Sequence, residues 1–281
     1  MFQYRLKFDR WEIYEATVSI ENNEMVFSNP ILKSSKDTLI TRNYDPFYTS
    51  TGFLYEDCFY EEDLWICSIK DQDQQEIYRS PDCKVSFPYT LNGGEHFLVE
   101  SYFCGNGVNI ITAATGNERK LLEFNLYDTV LFEIDNGFIA WGFDPERKCG
   151  RIWHSPVFVL TDAVLEHRFT EVTNSCSGYL KNLNTSRPSG RPFILKDRVI
   201  VPLMQNSEVY GKLVELYFFT LDPKNEAKIA NTGMKIRLDG VSFDKFHHVD
   251  FNKNGKVLFD IGTYHFARLH GAQIEKQRNQ Q

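Results

Sequence analysis

An all-β fold, a five-bladed β-propeller, is what this sequence predicts, and three observations carry that prediction. First, one phrase recurs five times: a polar or charged residue, a short apolar strand, a tight polar turn and a second apolar strand. Its copies open at Asp57-Cys58-Phe59-Tyr60, Ser86-Phe87-Pro88-Tyr89, Asp128-Thr129-Val130-Leu131, Arg191-Pro192-Phe193-Ile194 and His248-Val249-Asp250-Phe251. Repeats spaced by roughly 30 to 60 residues fit four-stranded blades. Second, 15% of residues are aromatic, 23 Phe and 14 Tyr among them, and these favour strands. Third, turn residues interrupt the chain at short intervals and helical periodicity is almost absent.

The elements follow in order. Residues 1–50 hold extra strands at Trp11-Glu12-Ile13-Tyr14 and around the hairpin-like Ile20–Val26, and one of them is expected to close the ring against the C-terminal blade and remove its edge. The first copy continues with Leu64-Trp65-Ile66, then Gln75–Ser80 as a third strand after Asp71–Gln74. The second runs through Phe97-Leu98-Val99 to Val108–Ile111, and the third through Phe138-Ile139-Ala140 to Gly150–His154. The fourth runs through Val199-Ile200-Val201 to Leu213–Thr220, and the fifth ends on Lys256-Val257-Leu258. No Pro/Gly-rich linker divides the chain, so a single domain over 1–281 is expected, with a polar tail at 270–281.

Composition narrows the function. Hydrophobic residues make up 42% of the chain, enough for a sizeable core. A net charge of -7 argues against a nucleic-acid or anionic-membrane surface, while leaving room for a small basic pocket. No stretch approaches the roughly 20 apolar residues of a spanning helix, and Met1–Lys7 lacks a signal peptide's apolar core. A soluble, cytoplasmic protein is expected. The six cysteines (Cys58, Cys67, Cys83, Cys104, Cys149 and Cys176) show no CxxC and no zinc spacing, and read as small core hydrophobes. The sequon Asn184-Thr185-Ser186 has no secretion signal to give it meaning.

A propeller gathers the starts of its innermost strands at one end of a central channel. Asp57, Ser86, Asp128, Arg191, His247 and His248 are expected to meet there, joined by Asp71, Asp73, Glu100, Gln205 and Asn206 from the loops after the second strands. Glycosidic cleavage needs a carboxylic acid to protonate the leaving oxygen. The fourth repeat opens with Arg191, which cannot give that proton because it stays charged, but can grip a phosphate with two donors. That exchange points to transfer from a nucleotide-activated sugar. Asp73, Asp57 and Asp128 compete to be the base, and Glu100, Arg187, Arg191, Gln205, His247, His248 and Asp250 are candidate substrate contacts. On a strand His248 and Asp250 share a face that His247 does not, so this segment offers too few ligands to assign a metal site.

The motifs Asn29-Pro30, Glu56-Asp57-Cys58-Phe59, Ser86-Phe87-Pro88-Tyr89, Ser189-Gly190-Arg191-Pro192-Phe193, Gln205-Asn206 … Tyr210-Gly211 and His247-His248-Val249-Asp250 fall in one family's order. Over roughly residues 10–265 the chain resembles the exostosin-like N-terminal domain of plant glucosamine inositolphosphorylceramide transferases, and small stand-alone relatives in large DNA viruses of algae. The resemblance implies a five-bladed propeller similar to the arabinanase and β-mannoside phosphorylase folds. It also implies a viral glycosyltransferase of the host cytoplasm, adding a sugar such as xylose to a glycan. The expected activity is therefore inverting transfer from a UDP-sugar to a glycan acceptor, with the nucleotide sugar as co-substrate, no tightly bound cofactor, and the divalent-metal requirement open. The alternatives are a propeller-type glycoside hydrolase or phosphorylase, or a carbohydrate-binding propeller without catalysis. The family's Asp-Pro-Phe is matched by Asp57-Cys58-Phe59, which leads into its hairpin, although a separate Asp45-Pro46-Phe47 competes for that place.

Overall fold

Short runs of β-branched and aromatic residues, each ended by a turn residue, form the 24 strands of the described chain, and no α-helix occurs among the described residues. The computed structural model describes residues 4–34, 42–61, 64–80, 84–102, 107–181, 186–206 and 209–269. The polar tail at 270–281, Cys83, Cys104 and Asn184-Thr185 of the sequon lie outside them. No helix of the described residues is long and apolar enough to cross a membrane.

The strands group into five antiparallel blades. In chain order, β1 (Tyr4–Glu21) and β2 (Glu24–Ser34) form a hairpin whose Asn22 and Asn23 both take left-handed φ, 49° and 64°, as a two-residue turn between twisted strands requires. Blade one is β3 (Arg42–Tyr48), β4 (Phe53–Glu61), β5 (Leu64–Asp71) and the three-residue β6 (Glu76–Tyr78). Blade two is β7 (Lys84–Leu91), β8 (His96–Tyr102), β9 (Val108–Thr112) and β10 (Glu118–Leu122).

Blade three is β11 (Tyr127–Ile134), β12 (Gly137–Asp144) and β13 (Cys149–Ser155). After a separate hairpin, β14 (Phe158–Leu160) with β15 (Leu165–His167), the two-residue β16 (Thr170–Glu171) completes it. Blade four has a broken inner strand, β17 (Arg187–Pro188) and β18 (Phe193–Leu195), then β19 (Arg198–Gln205), β20 (Leu213–Leu221) and β21 (Ala227–Asn231). β22 (Lys235–Leu238) returns to lie parallel to β2. Blade five is β23 (Lys245–Phe251) and β24 (Lys256–Leu269), completed by β1 and β2. The predicted ring closure is therefore present: β1 pairs β24 from Tyr4↔Leu269 to Thr17↔Lys256.

The first repeat is corrected by one strand. Asp57 lies on β4, the second strand of its blade, and the inner strand is β3 with Asp45-Pro46-Phe47. Blade one thus has its four strands, and Gln75–Ser80 holds the fourth of them rather than the third. The cysteines are corrected too. Cys58 and Cys67 face each other across β4 and β5 with Cα atoms 4.2 Å apart, and they are bonded, as are Cys149 and Cys176. The close cross-strand pairing of Cys58 with Cys67, which buries both, also puts them within bonding reach.

Apolar faces of neighbouring blades fill the ring. Trp141 and Phe219 bring blades three and four together, and the Trp141 Nε1 donates to the Ser186 carbonyl at 3.1 Å. At Gly190 the inner strand of blade four touches that of blade five, bridging to Val249 with φ 138°. A Cβ there would overlap the Val249 carbonyl oxygen. Gly190→Ala is expected to cost at least ~2–4 kcal/mol through backbone displacement and strain. A melting temperature unchanged from that of the parent protein would refute the close approach.

Candidate functional site

Each inner strand carries one irregularity at about the same height. Asp45 and Pro46 face the single residue Tyr55, Phe87 and Pro88 face Val99, and Asp128 and Thr129 face Gly142. In blade five His247 is the extra residue, and in blade four Gly190 marks the break. Bulges re-aim side chains and concentrate beside active sites. Asp45, Phe87 and Asp128 hold φ of 49°, 55° and 55°, a region Asp enters readily and Phe does not. Strain of this kind, repeated around one channel, marks a constrained centre.

A cavity of about 310 Å³ opens at this height, lined by Trp11, Arg42, Tyr44, Asp45, Glu56, Lys84, Ser86, Arg187, Tyr210, Lys245 and His247. Asp45 anchors its floor. Its backbone N–H donates to Asp260 Oδ2 at 2.9 Å, and its Oδ1 lies 3.3 Å from His247 Nδ1 and 3.4 Å from His248 Nδ1. His247 Nδ1 also contacts Asp260 Oδ2 at 3.1 Å, while its Nε2 meets the Tyr210 hydroxyl at 2.7 Å. On the other wall Ser86 donates to Glu56 Oε2 at 2.5 Å, and Lys84 Nζ stands 3.8 Å from Glu56 Oε1. Arg187 is held by Asp128 and lies over the rings of Tyr127 and Tyr210 at 5.4 and 5.1 Å.

These surroundings drive the carboxyl groups apart. Burial pushes Glu56 up to about 7, helped by the Asp45 charge and only partly opposed by Lys84 and the Ser86 hydroxyl. Burial likewise holds Glu100 well above the usual carboxylate range, against the pull of Arg187. Burial opposes the charge on Asp45 as well, but His247, His248 and Arg187 more than offset it and hold its carboxyl below the ordinary value. For His247, Asp260 and Asp45 overcome the cost of burying an imidazolium and raise its pKa. Asp45, His247 and Asp260 each present a ligand atom within 4.8 Å of the others, a set that could hold a cation. His247, when protonated, answers part of the carboxylate charge of this set without one.

The expected site residues divide. Asp128, Arg187, His247 and His248 converge at the channel, His248 fully buried between the rings of Phe47 and Phe87 at 4.5 and 5.6 Å. Glu100, opposite Ser86 on β8, is buried just behind the wall with both oxygens lacking a hydrogen-bond partner. Gln205 ends β19 without lining the cavity, its Oε1 buried and unbonded, and Asn206 accepts the Gly211 N–H at 2.7 Å. Asp57 is enclosed within blade one, bonded to Asn43 at 2.8 Å and Lys70 at 2.6 Å.

Asp71 pairs with Leu54, level with Phe47 near the C-terminal end of β3, so the turn that carries Asp73 lies beyond that end, whereas Arg42 and Tyr44 at the start of β3 line the cavity. Asp73 is exposed there and lines a different cleft with Thr49–Leu54 and Gly93–Glu95. Arg191 and Asp250 do not line the cavity but bind each other below it, Nε to Oδ1 at 2.8 Å. Sequence reasoning missed Glu56 and Asp260, and set Asp45 aside. The signal for Asp45 was present, since Asp45-Pro46-Phe47 repeats the proline and following aromatic of Phe87-Pro88-Tyr89.

No family model and no curated protein matches the chain. Among solved structures, the catalytic domain of the Coprinopsis cinerea GH62 alpha-L-arabinofuranosidase is similar at TM-score 0.48 and 8% identity, over 81% of this chain and 93% of that one. The β-propeller domain of the Trilobed protease from Pyrococcus furiosus, with its open velcro topology, is similar at TM-score 0.31 and 10% identity, over 84% and 83%. The expectation of a UDP-sugar-dependent glycosyltransferase is overturned at the site itself. The similar carbohydrate enzyme is an arabinofuranosidase. The arginine chosen to grip a departing diphosphate is instead committed to Asp250, away from the cavity.

Proposed function

We propose that the chain is a glycoside hydrolase whose central cavity cleaves a glycosidic bond between Glu56 and Asp45. The observation that carries this reading is a pair of buried carboxyl groups lining one cavity with opposite shifts, Glu56 raised to about 7 and Asp45 lowered. Carboxyl groups whose environments separate them in this way divide the acid and base roles. Glu56 gives its proton to the glycosidic oxygen as the bond to the anomeric carbon breaks. Asp45 takes a proton from the water whose oxygen joins that carbon, so the product carries inverted configuration. His247 and His248, with a smaller contribution from Arg187, keep Asp45 ionised, and the exposed ring of Tyr210 at the rim offers a face for a sugar to lie against.

The pH dependence follows from the two directions. Glu56 is competent only while protonated, so kcat is expected to fall about tenfold per pH unit above roughly 7. Asp45 is competent only while ionised, which places the acid limb below the usual Asp value. Hydrolysis of a panel of aryl glycosides across pH, with product configuration read by NMR, tests this reading. Activity that continues to rise through pH 9 would reject Glu56 as the acid. Sugar binding without turnover on any glycoside would leave a carbohydrate-binding propeller.

A further inference from the structure

Glu56 shares its face of β4 with a sulfur. Residues two apart on a strand point the same way, so Glu56 and Cys58 lie side by side, while Asp57 between them turns into the blade and binds Asn43 and Lys70. Cys58 stands opposite Cys67 of β5 and is bonded to it, both buried. Its Sγ comes within 2.7 Å of Glu56 Oε1. The other carboxyl oxygen, Oε2, accepts the Ser86 hydroxyl at 2.5 Å, so one oxygen meets a hydroxyl donor and the other a sulfur. Arg42, Tyr44 and Asp45 on β3, Lys84 on β7, Glu100 on β8 and His247 on β23 also surround Glu56, with Lys84 Nζ 3.8 Å from Oε1. None of these groups changes with oxidation or reduction; the sulfur does. The bridge spans a separation of 9 residues inside a hairpin already paired from Leu54 to Glu61, whereas the bridge between Cys149 and Cys176 spans 27. Cross-linking the shorter loop removes less freedom from the unfolded chain, which leaves room for a second role.

We propose that the Cys58–Cys67 bridge sets the acidity of Glu56 and makes it depend on the redox state of the pair. The inference rests on the reading of Glu56 as the acid of the cavity, and it adds the regulation of that site. A disulfide sulfur carries no proton: it accepts weakly from a protonated Glu56 and offers nothing to the carboxylate. Reduction by a dithiol supplies two electrons and two protons. The S–S bond breaks, Cys58 and Cys67 each take up a hydrogen, and the reductant leaves as its own disulfide. The Cys58 thiol then has an S–H to donate to Oε1, and a hydrogen bond to the charged form lowers the pKa of a carboxyl group. The bridged protein therefore keeps Glu56 protonated, and able to give its proton, to higher pH than the reduced protein does. Cys58 acts through Glu56 and is a positioning residue.

The test reads Glu56 by two routes on the full chain. Its carboxyl group is titrated by infrared difference spectroscopy against Glu56→Gln, and the basic limb of kcat is followed on the aryl glycosides. In protein reduced with dithiothreitol, with thiol formation at Cys58 and Cys67 checked by alkylation and mass spectrometry, both readings are expected to move down by about one pH unit. That is the low end of the scale for a hydrogen bond to a charged group, because S–H is a weak donor. Cys58→Ser with Cys67→Ser keeps a hydroxyl donor beside Oε1 and is expected to show the lowered limb with or without reductant. Cys58→Ala with Cys67→Ala offers no donor and is expected to keep the limb of the bridged protein, again without response to reductant. Cys149→Ser with Cys176→Ser, in blade three, is expected to retain the full response. A merely structural bridge would lower the melting temperature of the serine and alanine pairs alike while Glu56 titrates unchanged, and that result overturns the inference. Cleavage whose basic limb ignores both reductant and the two pairs would also overturn it while the hydrolase reading stands. An infrared titration that shifts as expected, with no glycoside cleaved at any pH, would support the inference and overturn the hydrolase reading.

Discussion

Asp45→Asn is expected to lower kcat/KM on glycoside substrates by roughly 10²–10⁴-fold, the range for a lost acid–base group, or about 3–5.5 kcal/mol of transition-state stabilisation. The exchange is chosen to spare the fold. Asn accepts the left-handed φ of 49° at this position almost as readily as Asp, and its amide keeps the volume. What it removes is the negative charge that faces His247 and His248 at 3.3 and 3.4 Å and that extracts a proton from water. The control is Asp73→Asn, at the far end of blade one, where no effect on turnover is expected. Full activity in the Asp45 variant, or loss of activity in the Asp73 variant at unchanged folding, would move the chemistry away from the cavity.

The second large effect is on stability. Arg191 reaches from blade four across the channel: Nη1 donates to the Thr90 carbonyl at 2.9 Å, Nη2 to Thr90 Oγ1 at 2.5 Å, and Nε to Asp250 at 2.8 Å. Asp250 is fully buried and also accepts the Tyr48 N–H at 2.7 Å. Blades one, two, four and five are thereby fastened at one point, and Tyr89, over which the guanidinium lies at 5.1 Å, donates to Leu131 of blade three at 2.5 Å. Arg191→Ala leaves the Asp250 charge buried without its cation, a change expected to cost ~3–5 kcal/mol and to lower the melting temperature on the order of 10 °C. The double change Arg191→Met with Asp250→Leu is expected to recover part of that loss. Normal stability with activity abolished in Arg191→Ala would instead make the arginine a substrate contact.

The propeller was legible because five repeats each bring a hairpin with the same apolar rhythm. The register of the first was not, because every blade contains three successive antiparallel neighbours. The pair β4–β5 therefore looks locally the same as an inner pair, and Asp57-Cys58-Phe59-Tyr60 reads as an opening. The bulge at Asp45 breaks strict alternation at the position where the true opening lies. Glu56 and Asp57 are adjacent, and period two sends only one of them to the cavity, so an error of one residue exchanges a cavity acid for an enclosed one. Arg191 was misread for another reason. Its partner Asp250 is 59 residues away and belongs to the next blade, so only the closed ring reveals that the charge is already answered.

Closure by the first strands also sets an order of events during synthesis. Glu15 on β1 meets Lys256 on β24 at 3.2 Å, yet 241 residues separate them in the chain. At the ~5–20 residues per second of ribosomal elongation, β1 waits on the order of 12–48 s for the partner that completes its blade. Blades one to four are made from contiguous sequence and can form as they emerge, whereas the fifth joins the earliest and latest translated segments. For that interval β1 and β2 are a two-stranded hairpin with an open edge, marginal by itself. The charges at Arg10, Glu12 and Glu15 on β1 keep that edge from inviting a neighbouring nascent chain.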